Sequence, residues 1–225
     1  MSATSDQLLL DLAQRPALGA EDFLISRSNQ AAADVIDRWP DWQHASLVVM
    51  APARAGKTHL SNVWRLRSGA MRLDARALSE EDVAHAKGPL LVEDLHAGIA
   101  SERALFHLLN LVREHKSSML LTSRVAPGDL DVRLPDLRSR LRALPVVEIS
   151  PPDEALLKGV LVKHFADRQL LVEPHVINHI ALHMDQSMAA AAAIVAEIDR
   201  AAMASHRKVT RALAGEILAR QQAGG

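Results

Sequence analysis

Residues 47–60 constrain this chain more than any other stretch. The apolar run Leu47-Val48-Val49-Met50 predicts a buried strand, the small residues after it a loop, and Lys57-Thr58-His59-Leu60 the start of a helix. Seven of the eight positions from Ala51 to Thr58 fit the spacing G-x-x-x-x-G-K-[ST] of a phosphate-cradling loop. Such a loop turns backbone N–H groups toward a phosphate, and the following helix N-terminus adds partial positive charge. The nucleotide-facing residues are then Ala51, Pro52, Ala53, Arg54, Ala55, Gly56, Lys57, Thr58 and His59. Lys57 is expected to reach the β- and γ-phosphates, and the Thr58 hydroxyl to ligate Mg2+. Ala51 stands where the motif has its first glycine. Its methyl group crowds the loop if the backbone there needs a positive φ.

Further strands are expected at 70–74, 90–94, 119–123 and 146–149, with helices between them. Ser79-Glu80-Glu81-Asp82 has the character of a helix start, and Gly88-Pro89 that of a turn. The run Leu90-Leu91-Val92 ends in two carboxylates, Glu93 and Asp94, the expected complement of a phosphate loop because an acid beside the phosphates holds Mg2+ or its waters. Met119-Leu120-Leu121 ends in the hydroxyls of Thr122 and Ser123. Alternating strands and helices imply right-handed crossovers and a parallel sheet with its ligand at the strand C-terminal ends. Glu93, Asp94, Thr122 and Ser123 converge on that edge.

After Pro151-Pro152 the pattern is helical only, over about 153–169, 174–184, 187–205 and 209–221, with an alanine run at 189–193. The expected division is therefore an amino-terminal segment 1–19, an α/β core 20–150 and a helical unit 151–225. A net charge of −1 leaves no global footprint for nucleic acid. Zero cysteines exclude disulfides and thiolate metal sites and suit a reducing cytoplasm. With no signal-like segment and no apolar run near 18 residues, the expectation is a soluble protein without a membrane span.

Three features admit two readings each. Gln7-Leu8-Leu9-Leu10-Asp11-Leu12 either packs back on the chain's own core or docks as a short peptide in another protein's apolar groove. His175, His179 and His183, at i, i+4 and i+8, make either a partly exposed helix face or three ligands of a zinc site for which no carboxylate or fourth ligand stands nearby. Arg133, Arg138, Arg140 and Arg142 form either a solvated basic segment or a source of an arginine for a phosphate on a neighbouring molecule.

Taken together these motifs resemble the DnaA-related AAA+ family, and within it the Hda/HdaA regulators that inactivate the replication initiator DnaA. Gly56-Lys57-Thr58 matches Walker A, Glu93-Asp94 stands at Walker B, and Thr122-Ser123 at sensor 1. Phe23 and Ile25, with Asn29, resemble the segment lining the base pocket. Leu137-Arg138-Ser139-Arg140-Leu141 resembles the box carrying an arginine finger, which the resemblance places at Arg140. Gln7, Leu8, Leu10, Asp11 and Leu12 resemble the peptide that grips the DNA polymerase sliding clamp (its beta subunit). The implied fold is an AAA+ P-loop domain with a five-stranded parallel sheet followed by a small all-helical lid.

The resemblance implies ADP or ATP with Mg2+ as cofactors, Glu93 and Thr58 as the metal-facing groups, and Asp94, Ser123 and the trans finger Arg140 as catalytic. It implies DnaA and the clamp as partners and a bacterial cytoplasmic, replisome-associated setting, with self-association open. Glu93 replaces the usual first aspartate of Walker B, and no Lys or Arg occurs between Arg168 and Arg200, where a lid arginine is expected, the register placing Gln186 to Ala189 there. The resemblance reaches only to the lid and does not take in the helix-turn-helix domain of DnaA, so sequence-specific DNA binding is not expected. The leading reading is a regulator that stimulates hydrolysis by DnaA and hydrolyses weakly itself. The alternatives are an active ATPase such as a DnaC-like helicase loader, and a clamp-bound adaptor with a vestigial nucleotide site.

Overall fold

The computed structural model describes residues 24–205 and 207–223. The clamp-peptide residues Gln7, Leu8, Leu10, Asp11 and Leu12, and Phe23 of the base-pocket segment, lie outside the described residues.

The chain divides into an α/β unit, Arg27–Pro151, and a helical unit built from Pro152 onward together with Leu24–Ser26. In the first, the apolar runs form β1 (Ser46–Met50), β2 (Met71–Asp74), β3 (Leu90–Glu93), β4 (Met119–Ser123) and β5 (Val146–Glu148). All pair in parallel, in the order β2-β3-β4-β1-β5. β3 and β4 are buried along their whole length, as central strands covered on both faces must be, whereas β5 at the edge is buried at neither end. Parallel pairing requires crossovers. These contain α2 (Lys57–Ser68), α3 (Glu80–His85), α4 (Glu102–Glu114) and α5 (Pro135–Arg142), and α1 (Gln30–Asp37) precedes β1.

Local chemistry sets the helix ends. The Ser79 and Asp82 side chains cap each other's backbone in a capping box at α3, and Ser101 Oγ accepts from the Ala104 N–H at 3.1 Å to open α4. Gly69, at φ +68°, closes α2 in the left-handed region. One sheet face packs Val48, Leu90, Val92, Met119 and Leu121 against Leu105, Leu108 and Leu137. On α2, Trp64 is fully buried, stacked on Trp42 with centroids 5.3 Å apart and edge-on to Trp39 at 6.3 Å.

The helical unit comprises α6 (Glu154–Asp167), α7 (Pro174–His183), α8 (Met188–Ser205) and α9 (Arg211–Ala223). Its own core joins Leu157, Leu161, Phe165, Ile177, Ile180, Ile194, Ile198 and Ile217, with Leu24. Asp153 caps α6 by accepting from the Leu156 N–H at 2.8 Å. His183 Nδ1 lies 2.8 Å from the His179 carbonyl, and His175 pairs with Glu173, so the three histidines form a helix face. Among the described residues no cluster of three His, Cys, Asp or Glu is placed to hold a metal ion. No helix there is long and apolar enough to cross a membrane.

Candidate functional site: the phosphate loop and the acidic sheet edge

The loop leaves β1 with its first backbone bond still in register: the Ala51 N–H donates to the Ser123 carbonyl at 3.1 Å. Ala51 is fully buried and is not among the residues with positive φ. The methyl group is therefore accommodated, and the missing glycine leaves no strain at this position. Positive φ occurs further along, at Arg54 (φ +65°) and at Gly56 (φ +95°), the N-cap of α2. Pro52, Ala53, Arg54, Thr58 and His59 are exposed, while Ala55 and Lys57 are buried. A loop of small residues feeding a 12-residue helix leaves unpaired N–H groups and a positive dipole end at Gly56-Lys57-Thr58.

Lys57 sits first on α2, and burial forces its ammonium to find partners. Nζ donates to Asp94 Oδ1 at 2.6 Å and to Thr122 Oγ1 at 3.2 Å. Asp94 takes the left-handed conformation (φ +60°, ψ +44°) just past β3, and its N–H donates to the same Thr122 hydroxyl at 3.0 Å. Burial opposes the charged form of Asp94, but the bond and charge of Lys57, helped by His96 and Arg124, hold its carboxyl below the usual carboxylate range. Stability from this group is thus present above the ordinary carboxylate pKa and is lost as pH falls through the lowered one.

The hydroxyl that joins this cluster belongs to Thr122. Ser123 Oγ turns instead to the Val125 N–H at 3.1 Å, because consecutive strand residues face opposite sides of the sheet. Sequence reasoning also missed His96, whose Nδ1 lies 3.9 Å from Asp94 Oδ1, and Ser61. Burial lowers the His96 pKa against the pull of Asp94. Ser61 was recoverable: four residues after Lys57 on a helix, it shares that lysine's face.

Glu93 is buried, and each of its carboxylate oxygens has a partner. Oε1 accepts from Ser61 Oγ at 3.4 Å, and Oε2 accepts from Arg72 Nε in an ion pair. A Mg2+ ion, which the family resemblance places at Glu93 and Thr58, does not fit this donor set, because Glu93 already holds an internal cation, Arg72.

Arg140 lies elsewhere. On α5, it bonds Asn110 Oδ1 and stands over the Phe106 ring at 5.0 Å, both on α4. It lines a cavity of about 730 Å³ with His44, Ser46, Arg113 and Pro145, at the end of the sheet where β1 begins and opposite the phosphate loop. Arg138 is turned to the Val132 carbonyl and Arg142 to that of Gly128 at 3.5 Å. Ile25 is buried in the helical unit and Asn29 in the α/β unit. Gln186 is tied to the Ala181 carbonyl at 2.9 Å.

No family model matches the chain. Among known proteins it is similar to the chromosomal replication initiator protein DnaA of Cutibacterium acnes, 27% identical over 193 residues, covering 74% of this chain and 39% of that protein. It is likewise similar to DnaA of Mesorhizobium japonicum, 26% identical over 126 residues, covering 53% of this chain and 25% of that protein. The chain thus spans well under half the length of these relatives. Domain III of Thermotoga maritima DnaA superposes with a TM-score of 0.75 at 19% identity, covering 92% of this chain and 98% of that one. AMPPCP-bound DnaA from Aquifex aeolicus gives 0.66 at 19%, covering 83% and 65%. The Holliday junction branch migration motor RuvB of Thermotoga maritima gives 0.65 at 14%, covering 92% and 69%. The five-stranded parallel sheet, phosphate loop and carboxy-terminal helices share the fold of these DnaA and RuvB structures, and the sequence is similar to that of DnaA at low identity.

Proposed function

We propose that this chain binds an adenine nucleotide at its own phosphate loop and regulates replication initiation by presenting Arg140 to ATP held by DnaA. In this reading Gln7, Leu8, Leu10, Asp11 and Leu12 tether it to the sliding clamp, residues 20–150 form the nucleotide core and 151–225 the lid. It works in the cytoplasm at the replisome. The DnaA relatives and the AMPPCP-bound DnaA neighbour support the nucleotide and the setting.

The observation that carries the proposal is the position of Arg140. The five residues of β1 span about 16 Å and separate it from the phosphate loop, so it does not serve the chain's own nucleotide. Asn110 and Phe106 nevertheless hold its guanidinium in a fixed orientation beside an open cavity. A preset arginine facing outward suits a phosphate brought by another molecule, where a planar fork offers two donors. Weak hydrolysis by the chain itself follows from Glu93 being spent on Arg72 and from the absence of a lid arginine between Arg168 and Arg200.

The test is ATP hydrolysis by DnaA with clamp loaded on DNA, in the presence of wild-type chain or its variants. Arg140→Ala should lower the stimulation by about a hundredfold or more, and Arg140→Lys should recover part of it. Arg138→Ala and Arg142→Ala, whose guanidinium groups are turned to backbone carbonyls, should keep most of it. Equal losses in all three alanine variants would indicate a diffuse basic patch, and no loss in Arg140→Ala would defeat the finger.

A further inference from the structure

The acidic edge of the sheet is already neutralised from within. Asp74 pairs with Arg76 at 2.7 Å, Asp94 with Lys57 at 2.6 Å, and Glu93 with Arg72. The last pair is built by strand register. Arg72 on β2 lies opposite Leu91 on β3, so Glu93, two residues on, is its diagonal neighbour on the same face. A glutamate is long enough to reach sideways to that neighbour. An aspartate, one methylene shorter, would keep its carboxylate nearer the strand end. The Glu93 side chain is 8% exposed and its other oxygen accepts from buried Ser61 at 3.4 Å, so both carboxylate oxygens already have a partner within the protein.

We propose that Arg72 stands in for a divalent cation at Glu93, so that this site holds its nucleotide without Mg2+. The inference rests on the nucleotide-site reading above, but its physical core, a carboxylate compensated by a protein cation, can be examined without nucleotide. Lys57 and the start of α2 remain to meet the phosphates. The side chain the motif assigns to Mg2+ that is not already ion-paired is the exposed Thr58 hydroxyl, too little on its own to make binding depend on the ion.

Two measurements test this. In a calorimetric titration, wild-type affinity for ADP should differ by less than about threefold between Mg2+ and EDTA. Glu93→Asp, too short to reach Arg72, should weaken in EDTA by about tenfold or more. A wild-type loss of tenfold in EDTA, or an unaltered Glu93→Asp, overturns the proposal. In nucleotide-free protein, Arg72→Gln leaves a buried unpaired carboxylate, which an added divalent cation can compensate. Mg2+ should therefore raise the unfolding midpoint of Arg72→Gln by several degrees while leaving wild type unmoved. Equal response, or none in either, refutes it, and Glu93→Asp supplies the same comparison should Arg72→Gln not fold. Failure of ADP to bind wild type in either buffer defeats the nucleotide reading, and the nucleotide-free comparison still decides the role of Arg72.

Discussion

Asp94→Asn distinguishes a phosphate site held in reserve from one that is merely well packed. Asp94 pairs at 2.6 Å with the Lys57 ammonium, the group a phosphate would need. Removing one partner of a fully buried pair costs about 3–5 kcal/mol, and an exposed pair is worth about 0.2–1 kcal/mol. Here the lysine side chain is 9% exposed and the aspartate 41%. That intermediate burial sets the loss at about 1–2 kcal/mol. Asparagine tolerates the left-handed backbone at φ +60°, so the substitution adds no strain there. A bound phosphate restores a charge partner to Lys57, so the penalty falls on the empty protein alone. ADP should then bind Asp94→Asn about 5–30-fold more tightly than wild type. Urea unfolding should show the variant less stable without ADP and level with wild type at saturating ADP. Calorimetry giving unchanged or weaker affinity would refute the competition between Asp94 and phosphate.

Three other substitutions probe the same framework. Ala51→Gly should leave ADP affinity within about twofold and reduce stability by about 0.5–1 kcal/mol in urea unfolding, because Ala51 needs no positive φ and its methyl is buried. Tighter binding would show that the glycine matters after all. The Glu102 carboxylate accepts from the Arg133 and Leu134 N–H groups at 2.8 and 2.6 Å, just ahead of α5. Glu102→Ala should cost about 1–2 kcal/mol by urea unfolding, and a change of only a few tenths would show that this contact does not secure the helix carrying Arg140. The bond from the Arg76 side chain, aided by its backbone N–H, holds the Asp74 carboxyl at about 2. Its stabilising contribution is present above the ordinary carboxylate value and lost as pH falls through about 2. A carboxyl-carbon NMR titration should follow that midpoint, and Arg76→Ala should return it toward 3.8, the value for an unperturbed Asp.

The elements visible in the sequence were those whose causes are local. Leu47–Met50, Leu90–Val92 and Met119–Leu121 are continuous apolar runs, and a strand covered on both faces demands them. Ser79 and Asp82 announced α3 through reciprocal capping. α5 was legible only as a basic segment, because four of its eight residues are charged and its two buried leucines, Leu137 and Leu141, carry little periodic signal. The site was legible as a set of residues converging on one edge. Which hydroxyl meets Lys57, and what Glu93 holds, depended on strand register and helix face across separations of 65 and 21 residues. Arg72 reads in sequence as an ordinary polar residue of a short strand. The placement of Arg140 against Phe106 and Asn110 arises from the packing of α4 on α5, which no local pattern encodes.

The central claim, that residues 51–58 bind a nucleotide phosphate, is tested most directly by titrating ADP into nucleotide-free wild type and Lys57→Ala. One ADP should bind per wild-type chain, and Lys57→Ala should lose roughly a hundredfold in affinity, the worth of a charged bond to phosphate. Equal affinity in the two proteins would contradict the account.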